Sequence, residues 1–204
     1  MISKENLDNL ITHYQNELSE IYSLLNTLNN PAFQQEYNPG NKDLTEIKDH
    51  IKYLLFFLTC FLDILVSLKA LFTTELDWER KFHIKNGVVV IYESVKTFNQ
   101  HQLAIRNYLQ TDKENLLQKL NTISTKIRDF KTQFRFDTEI ANFRNKAGAH
   151  YDKDIEVYMY NLNLMDNPSS VVAIKLFGDL LDQLLVFWSQ ILDDMYKKIV
   201  RNTS

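Results

Sequence analysis

Apolar residues recur at every third or fourth position along most of this chain, which is the period of an α-helix rather than of a strand. Long helices are expected over 4–29, from Asp43 or Thr45 to about Thr74, over 77–109, over 112–134 and over 171–200. A short helix is expected to begin near Asp137, and DNPSS at 166–170 is a start signal for the last helix. The pattern therefore predicts an all-α, up-and-down bundle of five or more helices.

Turn signals are concentrated in one place. The stretch NNPAFQQEYNPGNK at 29–42 contains two prolines and a glycine, and we predict that it is a loop. The run VVVIY at 88–92 has strand-like composition, but its polar flanks at 77–85 and 93–100 favour a helix. Since no internal repeat or linker interrupts the pattern, we expect a single domain over 1–204.

The segment YLLFFLTCFLDILVSLKALF at 53–72 is about as long as a membrane-spanning helix. Asp63 lies near its middle and Lys69 near its end, and each of these charges is costly in hydrocarbon. The other predicted helices are amphipathic and need a core to pack against. We therefore expect a buried bundle helix and no membrane contact.

Composition narrows the class of protein further. The chain has a formal charge of −3, which argues against a dedicated DNA coat protein but allows a local basic groove. Its single cysteine, Cys60, fits a reducing compartment, and the N-terminal stretch has no apolar signal core, so we expect a cytoplasmic protein. The five histidines are dispersed without zinc-type spacing, and no glycine-rich phosphate loop is present. We expect neither a metal nor a cofactor.

The short helix expected near Asp137 carries a polar segment, FRNKAGAHYDKD at 143–154, in a chain of otherwise apolar helices. Arg144 is followed directly by Asn145 and, after five intervening residues, by His150. This arrangement resembles the motif of the HEPN superfamily (higher eukaryotes and prokaryotes nucleotide-binding domains), in which an arginine, often followed by a polar residue, precedes a histidine by four to six residues. The resemblance implies a HEPN-like helical bundle, in agreement with the predicted helices.

The resemblance also implies an activity, since many HEPN proteins are metal-independent endoribonucleases, often toxins or antiviral defence effectors. His150 has the chemistry to act as acid or base near neutral pH, and Arg144 to grip two phosphate oxygens as charge develops. Asn145 would donate to the phosphate or orient the imidazole, and Lys146 would attract RNA. The expected product carries a 2′,3′-cyclic phosphate. An antitoxin or a nucleotidyltransferase-type protein is a further kind of partner for such a chain.

Three arguments predict a homodimer that brings the two 143–154 segments together. On a regular α-helix, Arg144 and His150 lie about 120° apart and about 9 Å apart along the axis, so one straight helix would not aim them at the same phosphate. Either Gly148 bends the segment, or two copies meet across a symmetric dimer, which is the alternative that we favour. Two copies of Arg144 and Lys146 would concentrate positive charge on an acidic protein. Finally, the last predicted helix carries an apolar stripe that one bundle face does not need: Trp188, Ile191, Met195 and Ile199. Such a dimer is usual in the HEPN family.

Structural roles remain open for the same residues. Arg144 would then pair with Asp63 or Glu139, and His150 would cap a helix end near Gly148. Asp152 would either orient the imidazole of His150 or solvate a loop. The chain would in that case be a non-catalytic nucleotide-binding, RNA-binding or protein-interaction module.

Asp63 needs its own explanation, because an unpaired carboxylate is costly to bury. It is expected to be exposed, to have a partner, or to be protonated. The candidate partners are Arg144, Lys85, His83 and Arg80.

Overall fold

The computed structural model describes residues 4–37, 44–110, 113–148 and 154–201. Within these ranges 93% of the residues are helical and none is in a strand. The predicted all-α fold is confirmed for this part of the chain. His150 and Asp152 lie outside the described residues.

Eight α-helices follow a single 3₁₀ turn at Lys4–Asn6 in the described ranges. They are α1 (Leu7–Asn29), α2 (Pro31–Tyr37), α3 (Thr45–Thr73), α4 (Asp77–Leu109), α5 (Glu114–Gln133), α6 (Ala141–Phe143), α7 (Ile155–Met165) and α8 (Pro168–Arg201). Two π-helical turns, Phe136–Ile140 and Arg144–Gly148, flank α6 without a break. The five long helices match the sequence prediction to within a few residues at each end.

Two short helices were not predicted. Helix α2 lies inside the expected loop, so the loop prediction was wrong for residues 31–37: Pro31 occupies the first helical position, where a missing N–H costs nothing, and Asn30 Oδ1 accepts from Ala32 N at 2.9 Å. Helix α7 begins after Asp154, whose side chain accepts from Glu156 N at 2.9 Å. In both cases a local cap starts a helix that is too short to show a clear period.

Helix α3 is the centre of the bundle and packs against α1, α4 and α8. Its buried side chains include Leu54, Phe57, Phe61, Ile64 and Leu65, each less than 5% exposed. Among the described residues, α3 is the one helix long and apolar enough to cross a membrane, and 56% of its most apolar window is buried inside the bundle. That burial matches the expectation of a core helix.

Contacts between the long helices fix their directions. Helices α1, α4 and α8 run one way, and α3 and α5 run the other, which is the predicted up-and-down arrangement. The contacting pairs are Asp8–Lys69 and Tyr14–Phe61 for α1 and α3, Lys119–Gln190 and Lys126–Gln183 for α5 and α8, and Gly87–Ile174 and Tyr108–Asp194 for α4 and α8.

A glycine allows α4 and α8 to approach closely. A Cβ added at Gly87 would lie 2.6 Å from Cδ1 and 2.7 Å from Cγ1 of Ile174, which is 0% exposed. Glycine inside a helix costs about 1 kcal/mol relative to alanine, so this position gives up helix propensity for close packing.

We expect Gly87→Ala to lower the free energy of unfolding, because overpacking costs about 1–3 kcal/mol and outweighs the gain of about 1 kcal/mol in helix propensity. Urea denaturation of Gly87→Ala, Ile174→Val and the double variant measures this. Ile174→Val should cost less in the Gly87→Ala background than in the natural protein. A Gly87→Ala protein that is more stable than the natural one would show that the close approach does not exist.

Candidate functional site

Arg144 begins the second π-helical turn and packs against α4. Its Nε and Nη2 donate to Oε1 of Glu93 at 3.0 and 2.7 Å. The pair is half-buried, with side-chain exposures of 26% for Arg144 and 35% for Glu93. The partner of Arg144 is therefore Glu93, and the structural alternative that named Asp63 or Glu139 was wrong about the residue.

Tyr92 connects this arginine to the rest of the segment. The guanidinium carbon of Arg144 lies 5.2 Å from the centroid of the Tyr92 ring, which is within the range of a cation–π contact. The same ring stacks on Phe136, with a centroid distance of 5.6 Å and an angle of 7°. Because Phe136 begins the first π-helical turn and Arg144 the second, Tyr92 holds both turns against α4.

The π-helical turns change the geometry that the sequence suggested. π-Helical turns are rare in proteins, and those that do occur are often found at functional sites. The segment follows Arg135, whose φ of 46° is left-handed, and Arg135 Nη1 donates to Glu139 Oε1 at 2.9 Å. Residues 144–148 do not form a regular α-helix, so the angle of about 120° between Arg144 and His150, which was calculated for a regular helix, does not apply. The first reason for expecting a dimer is therefore removed.

The neighbours of Arg144 divide between core and solvent. Phe143 and Ala147 are buried at 1% and 0% exposure and anchor the turn. Asn145 and Lys146 are exposed, and Asn145 Oδ1 lies 3.4 Å from Nη1 of Arg144. The structure thus brings Arg144, Asn145 and Lys146 together on one turn. The other two predicted site residues, His150 and Asp152, lie outside the described residues.

Asp63 does not support Arg144. It is exposed on α3, and partial desolvation raises the pKa of its carboxyl. Two of its four expected partners pair elsewhere: Arg144 with Glu93, and Arg80 with Asp166, with 2.7 Å between Nε and Oδ1. Simple exposure explains how a carboxylate is tolerated in this apolar helix.

The apolar stripe of α8 is part of the monomer core. Trp188 and Ile191 are 0% exposed and Met195 is 6% exposed within one chain. The prediction that these three residues exceed what the bundle needs was wrong, because α8 is covered by α3, α4 and α5. The side chain of Ile199, the fourth residue of the predicted stripe, lies outside what the structure describes. The third argument for the dimer therefore fails.

A second polar cluster, which the sequence did not reveal, lies where α3 begins and α8 ends. Lys113 Nζ lies 2.5 Å from Asp194 Oδ2 and 3.3 Å from the centroid of Tyr108, whose hydroxyl donates to Asp194 Oδ2 at 3.0 Å. The ring of His50 lies 5.6 Å from that of Tyr108 and 5.2 Å from that of Trp188. These residues come from distant parts of the chain, so no local sequence motif predicts the cluster.

His50 is the titratable centre of that cluster. It is 7% exposed, and desolvation by burial lowers its pKa to about 4, with the nearby Lys113 ammonium acting in the same direction and Asp49 against it. Its Nδ1 is buried without a hydrogen-bond partner. The histidine is therefore neutral in the folded protein, and its position is that of a core residue.

The ranges that the structure describes contain no recognisable metal site. No three His, Cys, Asp or Glu side chains come together there as ligands would.

We expect acid to destabilise the fold through His50. Its pKa falls from 6.5 to about 4 on folding, so the unfolded chain binds a proton that the folded chain does not bind between these values. The contribution of His50 to stability is fully present above about pH 6.5 and is lost progressively toward pH 4, by up to about 1.4 kcal/mol per pH unit. His50→Phe should reduce the slope of unfolding free energy against pH by up to about 1.4 kcal/mol per pH unit, which corresponds to one proton. Urea denaturation from pH 4.5 to 7 measures this slope.

The control is Leu103→Ala, at a residue that does not titrate and is 69% exposed. It should keep the slope of the natural protein. If His50→Phe also keeps that slope, His50 is not the group that links folding to protons.

Comparison of the chain with known protein families, with curated proteins and with solved structures finds no match. The residues around Arg144 and their contacts are therefore the basis of the function proposed below.

Proposed function

We propose that this protein is a metal-independent endoribonuclease of the HEPN type, a toxin or antiviral defence effector, with Arg144 binding the scissile phosphate. The observation that carries the proposal is the fixed orientation of Arg144 on an exposed π-helical turn. Glu93 takes up one N–H of Nε and one of Nη2. Since a guanidinium has five N–H groups, donors remain on Nη1 and Nη2 for phosphate oxygens.

Glu93 is a positioning residue in this proposal. A long arginine side chain loses conformational freedom when it binds, and a partner that fixes it beforehand removes part of that cost. Tyr92 restricts the guanidinium from its face, while Glu93 fixes its edge. The negative charge of Glu93 also lowers the local positive potential, so Lys146 and Asn145 supply the remaining attraction for the RNA backbone.

His150 completes the chemistry as general base toward the 2′-hydroxyl or as general acid toward the leaving 5′-oxygen. Arg144 stabilises the charge that develops on the phosphate between these steps. One of the three reasons for a composite site between two copies remains: positive charge would be concentrated where two Arg144–Lys146 turns meet. The proposal requires that Arg144 and His150, from one chain or from two, reach the same phosphate.

A second candidate is a non-catalytic nucleotide-binding, RNA-binding or protein-interaction module. The observation that favours it is the same ion pair, because Glu93 and Arg144 together also fasten the segment 136–148 to α4. In that case the arginine is needed for stability and not for RNA cleavage.

We expect purified protein to cleave mixed RNA in the presence of EDTA and to leave 2′,3′-cyclic phosphate ends. Arg144→Ala and His150→Ala should each lower the rate by at least about 100-fold, because one loses the phosphate donor and the other the proton-transfer group. Glu93→Gln should reduce the rate less, because it keeps one acceptor oxygen for Arg144. Gel electrophoresis of end-labelled RNA and analysis of the product ends measure these effects.

Matched controls are Arg128→Ala, at an arginine whose side chain is 74% exposed, and His13→Ala; both should cleave normally. Unfolding measurements should place Arg144→Ala within about 2 kcal/mol of the natural protein, as for ordinary substitutions. Cleavage that persists in both site variants, or that EDTA abolishes, contradicts the proposal. RNA binding without cleavage would instead support the second candidate.

A further inference from the structure

The outer surface of α8 forms a ridge between α1 and α5. A groove of about 580 Å³ separates α8 from α5, and one of about 320 Å³ separates α8 from α1. Val186 and Gln190 line both grooves, and Val186 is 53% exposed at the top of the ridge. We call the surface formed by α1, α8 and α5 the three-helix face.

The α5 edge of this face carries two lysines, Lys119 and Lys126. Asp182 lines the same groove, and its carboxylate accepts a hydrogen bond from Tyr14 of α1. Lys119 donates to Gln190 Oε1 at 2.8 Å and Lys126 to Gln183 Oε1 at 2.5 Å. Both acceptors are neutral amides. Neither lysine forms an ion pair within the part of the chain that the structure describes.

The α1 edge carries the opposite charge. Glu17 lines the groove beside α8, and Nε2 of the exposed His13 lies 3.4 Å from its Oε1. Glu20 lies one turn further along α1 and is exposed. In the described ranges, neither glutamate pairs with a lysine or an arginine. The three-helix face is thus basic along one edge and acidic along the other.

We propose that a second copy of this chain docks on the three-helix face, around a two-fold axis that runs parallel to α8. Such an axis lies in the contact plane and exchanges the two edges, so the α5 edge of one protomer meets the α1 edge of its partner. Rotation about this axis leaves the height of each residue along α8 unchanged, so residues at the same height in the two protomers face each other. A two-fold contact is self-complementary only if the surface matches itself in this way.

The levels of the opposite charges agree. Lys126 bonds to Gln183 and Tyr14 to Asp182, so these parts of α5 and α1 lie at one level of α8. Lys119 bonds to Gln190, which also lines the groove beside Glu17. Lys119 and Lys126 of one protomer therefore meet the Glu17–Glu20 turn of the partner subunit, and Val186 meets its own copy near the axis.

The contact would depend on charge more than on apolar area, since Val186 is its central apolar residue. Electrostatic complementarity mainly sets specificity and register, and salt screens charges on an exposed rim. Arg144 lies against α4, which is not part of the three-helix face. This dimer therefore differs from one in which two Arg144–Lys146 turns meet, and it does not depend on the nuclease proposal. Either proposal can fail alone.

A charge-exchange experiment tests this dimer. Sedimentation equilibrium at tens of micromolar and low salt should give twice the chain mass of 24.1 kDa. Lys119→Glu/Lys126→Glu should weaken association by about ten-fold or more, because two acidic edges then face each other. Glu17→Lys/Glu20→Lys should do the same with two basic edges. An equimolar mixture of the two double variants should form a heterodimer, because both of its contacts again join opposite charges.

The control is Lys48→Glu/Lys52→Glu on α3, which changes net charge by the same amount outside the face and should remain dimeric. Val186→Arg should give a monomer with the circular-dichroism spectrum and melting temperature of the natural protein. A natural protein that is monomeric under these conditions overturns the proposal. So do charge-reversed variants that dimerise normally, or a mixture that stays monomeric.

Discussion

The burial of α3 is the constraint on which the rest of the structure depends. Its apolar residues are not confined to one stripe, and thirteen of its 29 residues are buried. Each large apolar side chain that leaves water contributes about 1.5–3 kcal/mol, so a helix of this composition needs neighbours on several sides. Helices α1, α4 and α8 supply them, and the short α3–α4 connection makes the first pair antiparallel.

The position of the candidate site follows from that core. Packing of α4 on α3 buries Ile91 and Val95 and leaves Tyr92 and Glu93 at the edge of the core. These two side chains then receive the segment 136–148, Tyr92 through its stack on Phe136 and Glu93 through the ion pair with Arg144. Arg144, whose neighbours Asn145 and Lys146 are exposed, is in this way attached to the edge of the core.

Periodicity predicted α1, α5 and α8 most clearly, because burial of one face of a helix leaves a three-to-four-residue signature over several turns. It missed α2 and α7, which have seven and eleven residues and begin with local caps at Asn30 and Asp154. The proline at position 31 was interpreted as a breaker, although its place at a helix start makes it compatible with α2.

The candidate site was predictable in part for a related reason. Arg144, Asn145 and Lys146 are adjacent in sequence, so a motif identified them. Glu93 lies 51 residues away and was missed, since an acidic residue on an amphipathic helix gives no sign of its partner. The π-helical turns were also missed, because the sequence alone suggested a regular helix there. The apolar stripe of α8 was correct as a pattern and wrong as an interface, because the pattern does not show which neighbours cover it.

The central claim is that Arg144 is present for a phosphate and that Glu93 serves to position it. Exchanging the two charges, in Glu93→Arg/Arg144→Glu, separates this role from a purely structural one. We predict that the exchanged pair recovers most of the stability that Arg144→Glu alone loses, as a double-mutant cycle of urea denaturation would show, while RNA cleavage remains absent. Cleavage that returns together with stability would contradict the claim, because an ion pair of either polarity would then suffice.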